Sequence, residues 1–148
     1  NAVKLISLWL MKAQQNHSHW QTRHIEHVKN YVAKAIMQFN MINNGDKVLA
    51  AVSGGKDSLV MLDALAAFRK FKKIDFQLEA LHMEVDDVSY KVDREFLSAY
   101  ADGLEVPMHY KTIHAGLENR GKKAPCFVCS WHRRKNLFEY AKRNGFHK

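Results

Sequence analysis

The stretch Lys47-Val48-Leu49-Ala50-Ala51-Val52-Ser53-Gly54-Gly55-Lys56-Asp57-Ser58 sets a short apolar run directly before two glycines and three polar side chains. Lys47 to Val52 has the continuous apolar character of a strand buried on both faces. The two glycines lack a Cβ, so the backbone can turn sharply and come close to a ligand. Leu59 to Phe71 follows as a helix with Leu62, Leu65 and Phe68 facing inward. The loop Ser53 to Ser58 therefore opens onto a helix N-terminus whose first N–H groups lack internal partners. Strand, loop and helix in this order form a cradle for anions. Lys56 adds a mobile positive charge, and Ser53 and Ser58 add hydroxyl donors. Asp57 would repel a phosphate unless a cation bridges the two. It is thus a Mg²⁺ ligand, a helix N-cap, or both. The spacing is neither G-x-x-x-x-G-K-S/T nor G-x-G-x-x-G, which argues against a Walker A loop and against a dinucleotide site.

Outward from this loop, Phe76 to Val85 is a second strand, Tyr90 to Leu104 a helix with Gly103 near its end, and Val106 to Ile113 a third strand. His114 to Pro125 is a basic loop, and Ser130 to Asn144 a helix that Gly145 closes. Alternating strands and helices predict parallel pairing through right-handed crossovers, a doubly wound α/β sheet. Ligands of such sheets bind beyond the carboxyl ends of the strands. The loop at Ser53 lies there, and so does the stretch from Met83 to Asp87. Upstream, Asn43-Asn44-Gly45-Asp46 is a turn. A helix from Thr22 to Met41 carries Ile25, Val28, Val32, Ile36 and Phe39 on one stripe, and another helix is expected from Ala2 to Gln15, broken at Asn16 to His19. Residues 1–41 are thus expected to form an N-terminal helical segment and residues 42–148 a nucleotide-binding domain. The chain begins without Met and stops at Lys148, where a further strand is expected to begin, so it reads as a fragment lacking the C-terminal half of that domain.

The 148 residues, 47% of them hydrophobic, suffice for one compact domain with a core. No run of 18 uncharged apolar residues is present, which excludes a membrane-spanning helix as the chain's role. Asn1 to Leu10 has no small-residue cleavage pattern after it and reads as a helix, not a signal peptide. Two cysteines in a C-x-x-C are too few for a secreted disulfide scaffold and point to a reducing cytoplasm. The net charge of +8 is unevenly placed. Residues 120–148 carry nine Lys/Arg against Glu139 alone, while residues 1–119 balance at 14 of each sign. A basic segment of this kind either attracts phosphate backbones or is a solvated helix face.

Cys126 and Cys129 are two ligands short of a tetrahedral metal site. They are half of a metal site, ordinary reduced cysteines, or, with His132, part of a Zn²⁺ site. His132 fits a helix surface better. A thioredoxin-type dithiol is disfavoured, because this C-x-x-C follows a loop and not the first strand of its domain. Ser130 would cap the last helix, whose positive end favours thiolates. His17, His19, His24 and His27 crowd the start of the second helix and read as surface residues. Glu84, Asp86 and Asp87 follow the second strand as ribose or metal contacts, or as a solvated loop. Phe127 and Trp131 interleave with basic residues as a base-stacking surface would, although Trp131 is equally suited to a core.

Ala51-Val52-Ser53-Gly54-Gly55-Lys56-Asp57-Ser58 resembles the PP-loop of the N-type ATP pyrophosphatases, which cleave ATP between its α and β phosphates. Phe39-Asn40-Met41-Ile42 followed by Gly45-Asp46-Lys47-Val48, and Cys126-x-x-Cys129-Ser130 followed by Arg133-Arg134, resemble the tRNA 2-thiocytidine synthetases within that superfamily. The resemblance covers about residues 25–148. It implies an adenine-nucleotide α-hydrolase-like fold and an ATP-dependent tRNA sulfurtransferase that adenylates a base carbonyl of the anticodon loop and replaces its oxygen with sulfur. ATP binding then falls on Ala51, Ser53, Gly54, Gly55, Lys56, Asp57, Ser58 and Met83, with Lys56 and Asp57 catalytic and Asp57 on Mg²⁺. Cys126 and Cys129 would share a [4Fe–4S] cluster with a third cysteine that this chain lacks, and Arg133, Arg134 and Lys135 would contact RNA. The implied partners are tRNA and a sulfur donor, either a protein or small-molecule sulfide, with a homodimer left open. Two rivals remain: a tRNA lysidine synthetase-like ligase, in which an amine attacks the adenylated base, and a non-catalytic nucleotide-binding module of the same fold.

Overall fold

The computed structural model describes residues 24–71, 74–119, 121–122 and 124–148. The helix expected over Ala2 to Gln15, together with His17 and His19, lies outside them. A helix covers residues 24–38 (α1) and leads into three strands that alternate with three further helices. The elements are β1 (Lys47–Ala51), α2 (Lys56–Phe71), β2 (Gln77–Val85), α3 (Arg94–Gly103), β3 (Met108–Ile113) and α4 (Pro125–Arg143), with a 3₁₀ turn over Leu117–Asn119. The strands pair in parallel in the order β1-β2-β3, with Val48 opposite Leu78 and His82 opposite Tyr110.

Strand alternation divides the core in two. Val48 and Ala50 of β1 and Leu78 and Ala80 of β2 face Leu62, Ala66 and Phe68 of α2 and Leu97 and Ala101 of α3, with Ile36 of α1 joining them. Leu81, Met83 and Val85 belong to the opposite face, where Cys129, Leu137 and Tyr140 of α4 pack. Helices thus cover both faces, as a doubly wound sheet requires. Two successive crossovers of one hand place α2 and α3 together, and α4 runs back across the other face. Beyond α4 the chain reaches the free edge of β1, where Lys148 N–H donates to Lys47 O (3.3 Å) and Leu49 N–H donates to Lys148 O (2.9 Å), a parallel pattern. The direction of travel therefore reverses at β1, whose C-terminal end carries the glycine loop. A ligand crevice forms at such a reversal.

Several boundaries differ from expectation for local reasons. α2 begins at Lys56 and not Leu59, because Gly55 O already accepts from the N–H groups of Ser58 and Leu59. α3 begins at Arg94 and not Tyr90: Asp93 Oδ1 accepts from Phe96 N–H at 2.9 Å and caps the helix there. α4 begins at Pro125, five residues before Ser130, so Ser130 is not its cap. Ala124 holds that position in extended conformation, and proline fits the first turn because it lacks an N–H to leave unpaired. Gly145 (φ +71°) takes the left-handed position just past Asn144 that ends the helix. On α1, Ile36 is buried, but Val28 and Phe39 of the expected stripe are exposed.

Candidate nucleotide and sulfur site

The glycine loop is held by its own serines. Ser58 Oγ donates to Gly55 O at 2.7 Å and accepts from Ser53 N–H at 3.2 Å. Since the single Ser58 hydroxyl proton is engaged there, the Ser53 hydroxyl donates to Ser58 Oγ (3.2 Å) and accepts from Gly55 N–H (3.3 Å). Both hydroxyl protons, expected as phosphate donors, are thus used within the loop. The backbone N–H groups of Gly54, Lys56 and Asp57 have no partner among the described residues, as at any helix start. Gly54 has φ +86°, and a Cβ there would lie 2.9 Å from Val92 Cγ1. The segment before α3 therefore packs directly on the loop, and both conformation and space demand glycine.

Lys56 and Asp57 pair with each other at 3.2 Å, their side chains about nine-tenths exposed. Asp57 lies in the first turn of α2, inside the helix and not at its cap. An ion pair this exposed contributes little to stability and leaves both charges open to a ligand or cation.

A cleft of about 730 Å³ lies beside the loop, at the carboxyl end of the sheet. Ala51, Ser53 and Met83 line one wall, and Cys126, Cys129 and Arg133 of α4 line the other. Arg134 and Ser130 also reach it. Of the residues expected at ATP, Ala51, Ser53 and Met83 therefore share a crevice with the two cysteines, while Gly54, Gly55, Lys56, Asp57 and Ser58 are not part of its lining. Cys126 and Cys129 are three apart on the first turn of α4, hence on one side of it, and both are free thiols, the first exposed and the second half-buried. A pair of cysteine sulfurs lining one cleft suits an iron or another soft metal as part of a ligand set. His132 does not converge with them: among the described residues, the group of three or more donors within 4.8 Å of one another is Asp86, Asp87 and His114. Lys135 turns away from the cleft to lie over the Trp131 ring at 5.3 Å. Phe127 and Trp131, four apart on α4, are both exposed, so Trp131 is not a core residue.

The acidic residues after β2 tie loops together. Glu84 pairs with Arg94 and Lys91, which holds its carboxyl below the usual range. Asp87 accepts from the N–H groups of Leu117 (2.9 Å) and Ala115 (3.1 Å), and these bonds lower its pKa as well. Asp86 holds His114 Nδ1 at 2.8 Å, and Glu118 holds Nε2 at 3.2 Å. Those carboxylates push the imidazole up to about 9, Asp86 first. His24 and His27 are exposed on α1.

One residue of the site escaped the sequence reading. His82 lines the cleft and is buried beneath the loop, with Nδ1 donating to Val52 O at 2.7 Å. A histidine inside an otherwise apolar strand core (Ala80-Leu81-His82-Met83) was the available signal.

With this geometry in place, comparison with known proteins is informative. No protein-family model matches the chain. A tRNA-cytidine(32) 2-sulfurtransferase from a Shewanella species is 34% identical over 122 residues, which are 80% of this chain and 39% of that protein. The protein of the same name from Bdellovibrio bacteriovorus is 32% identical over 124 residues, 82% of this chain and 47% of that protein. Over those residues the chain is homologous to the tRNA-cytidine 2-sulfurtransferases. It spans between about two fifths and just under half of the length of the curated relatives it matches. Among solved structures, the U34-tRNA thiolase NcsA from Methanococcus maripaludis with its [4Fe–4S] cluster superposes with a TM-score of 0.65 at 22% identity, covering 82% of this chain and 43% of that one. At that identity the likeness establishes the fold.

Proposed function

We propose that this chain carries the ATP-binding part of an enzyme that adenylates a base carbonyl of tRNA and replaces its oxygen with sulfur, 2-thiolation of an anticodon-loop cytidine being the form its relatives suggest. The observation that carries the reading is the cleft that Ser53, at the start of the glycine loop, lines together with the cysteine pair. A pyrimidine C2 oxygen is a poor leaving group until it is coupled to AMP. The base oxygen attacks the α phosphorus of ATP, pyrophosphate departs, and a sulfur nucleophile then adds at C2 as AMP leaves. The unpaired N–H groups of Gly54, Lys56 and Asp57 would cradle the phosphates, and the Lys56 ammonium would offset charge that develops on the departing pyrophosphate. Asp57 would hold a Mg²⁺ ion that bridges to the phosphates. Cys126 and Cys129 would hold a [4Fe–4S] cluster together with ligands from outside this chain, and the cluster when bound supplies an iron site for the incoming sulfur. The exposed Arg134 and Lys135, with Trp131 and Phe127, offer a basic and aromatic face for tRNA. Two free cysteines and a tRNA substrate suit the cytoplasm, and no helix of the described residues is long and apolar enough to cross a membrane.

The test is to follow pyrophosphate and thiolated nucleoside with MgATP, tRNA and a sulfide source, in the wild type and in Cys126→Ser and Cys129→Ser. Both variants are expected to bind ATP normally and lose thiolation. Thiolation at the wild-type rate in either one would remove the cluster role of the pair, and an amine adduct in place of thiolated nucleoside in the wild type would favour the lysidine-type reaction.

A further inference from the structure

The cleft holds a charge that the reading above has not used. Cys126, Ser130, Arg133 and Leu137 follow each other at helical intervals along α4, so they form one stripe, and all four line the cleft. Arg133 differs from its neighbours Arg134 and Lys135. Those are exposed, whereas Arg133 is half-buried and its Nε is fully shielded from solvent without a hydrogen-bond partner. A shielded, unpaired guanidinium N–H is costly, and no carboxylate among the described residues pairs with this side chain. The side chain lines the crevice, where its terminal amino groups can meet an anion small enough to enter. A polynucleotide backbone meets exposed cations such as Arg134 first, while a phosphate chain anchored at the glycine loop would extend through the cleft toward α4. The apolar lining contributed by Val52, Leu81 and Val88 leaves the rest of the space suited to a base.

From this we infer that Arg133 binds the phosphate chain of the nucleotide, closing the anion site across the cleft from the glycine loop, and is not an RNA-backbone contact like Arg134. The inference rests on the reading of the cleft as an ATP site. A guanidinium presents two parallel N–H groups to two phosphate oxygens, which a lysine cannot reproduce.

The experiment is equilibrium binding of MgATP, and separately of inorganic pyrophosphate, to the full chain and its Arg133→Ala and Arg133→Lys variants, with circular dichroism melts to confirm folding. Loss of a charge-assisted contact is expected to weaken both ligands by about ten- to a hundredfold in Arg133→Ala, with partial recovery in Arg133→Lys. The dependence of tRNA affinity on salt is expected to stay as in the wild type. Unchanged ATP and pyrophosphate affinity in a folded Arg133→Ala, while the wild type binds both, would overturn the inference and leave the ATP site standing. A flattened tRNA salt dependence with unchanged ATP affinity would return Arg133 to the RNA face. Faster or slower alkylation of Cys129 with unchanged ATP affinity would make the thiolate its partner. Failure of the wild type to bind MgATP would overturn the ATP reading itself, and this inference with it.

Discussion

His82 Nδ1 donates to the Val52 carbonyl at 2.7 Å, fixing the last residue before the glycine loop from the neighbouring strand. Because the partner is a carbonyl, this nitrogen must carry the proton. His82 is 4% exposed, so Val52 O has no solvent to turn to once the imidazole is removed.

His82→Ala is therefore expected to cost about 1–3 kcal/mol of stability through the unpaired carbonyl, with a further loss from the space left behind. His82→Asn, whose amide can still donate, should recover part of it. Urea denaturation of the two variants measures this. Equal destabilisation in both would mean that packing and not the hydrogen bond matters here.

The two glycines of the loop should respond differently. Gly54→Ala adds a Cβ 2.9 Å from Val92 Cγ1 at a φ of +86°, so it suffers both a clash and a left-handed backbone. Gly55→Ala meets only Ser53 Oγ at 3.5 Å, an ordinary contact. ATP affinity should fall sharply in the first and much less in the second. Adding Val92→Ala to Gly54→Ala should relieve the clash but not the backbone strain, which is worth about 1–2 kcal/mol.

The salt bridge centred on His114 predicts a pH dependence. Its imidazole is pushed up from 6.5 to about 9 by Asp86 and Glu118. The folded state thus binds the proton more tightly than the unfolded chain, so the contribution is complete below about pH 6.5 and fades as pH rises through about 9. His114→Gln should flatten the stability profile across that window, as read from melting temperatures against pH. The imidazole is more than half exposed, so the effect should shrink in high salt.

Replacing Arg134 and Lys135 together by alanine should weaken tRNA binding and flatten the slope of log affinity against log salt by about two units. Lys135→Ala alone should leave ATP affinity unmoved, since Lys135 is exposed, lies over the Trp131 ring and is not part of the cleft lining. A slope that stays at the wild-type value would make this a solvated helix face.

Much of this architecture was legible in the amino-acid order. The apolar run Lys47 to Val52 followed by two glycines announced a strand that turns into a helix, because burial pattern and backbone freedom are local properties. The start of α4 was misjudged although Pro125 marked it, since proline at a first helical position resembles a loop residue until the turn that follows is seen. Stripe positions on α1 were harder still: periodicity nominates Val28 and Phe39 for burial as readily as Ile36, and only the sheet beneath selects among them.

The sequence by itself thus determined the parallel α/β alternation, the glycine loop between β1 and α2, and the side-chain chemistry available from two thiols and a basic segment. Only the tertiary structure decided that Ser53, the two thiols and part of the basic segment line one cleft. α2 and α3 cover one face of the sheet, and α4 returns across the other to the free edge of β1. That reversal brings Cys126, Cys129 and Arg133 to the cleft that Ser53 also lines. It also sets the burial of Arg133 apart from that of Arg134, adjacent in sequence and alike in chemistry. A helix turns by about 100° per residue, enough to leave one guanidinium half-buried and the next exposed, although both line the cleft.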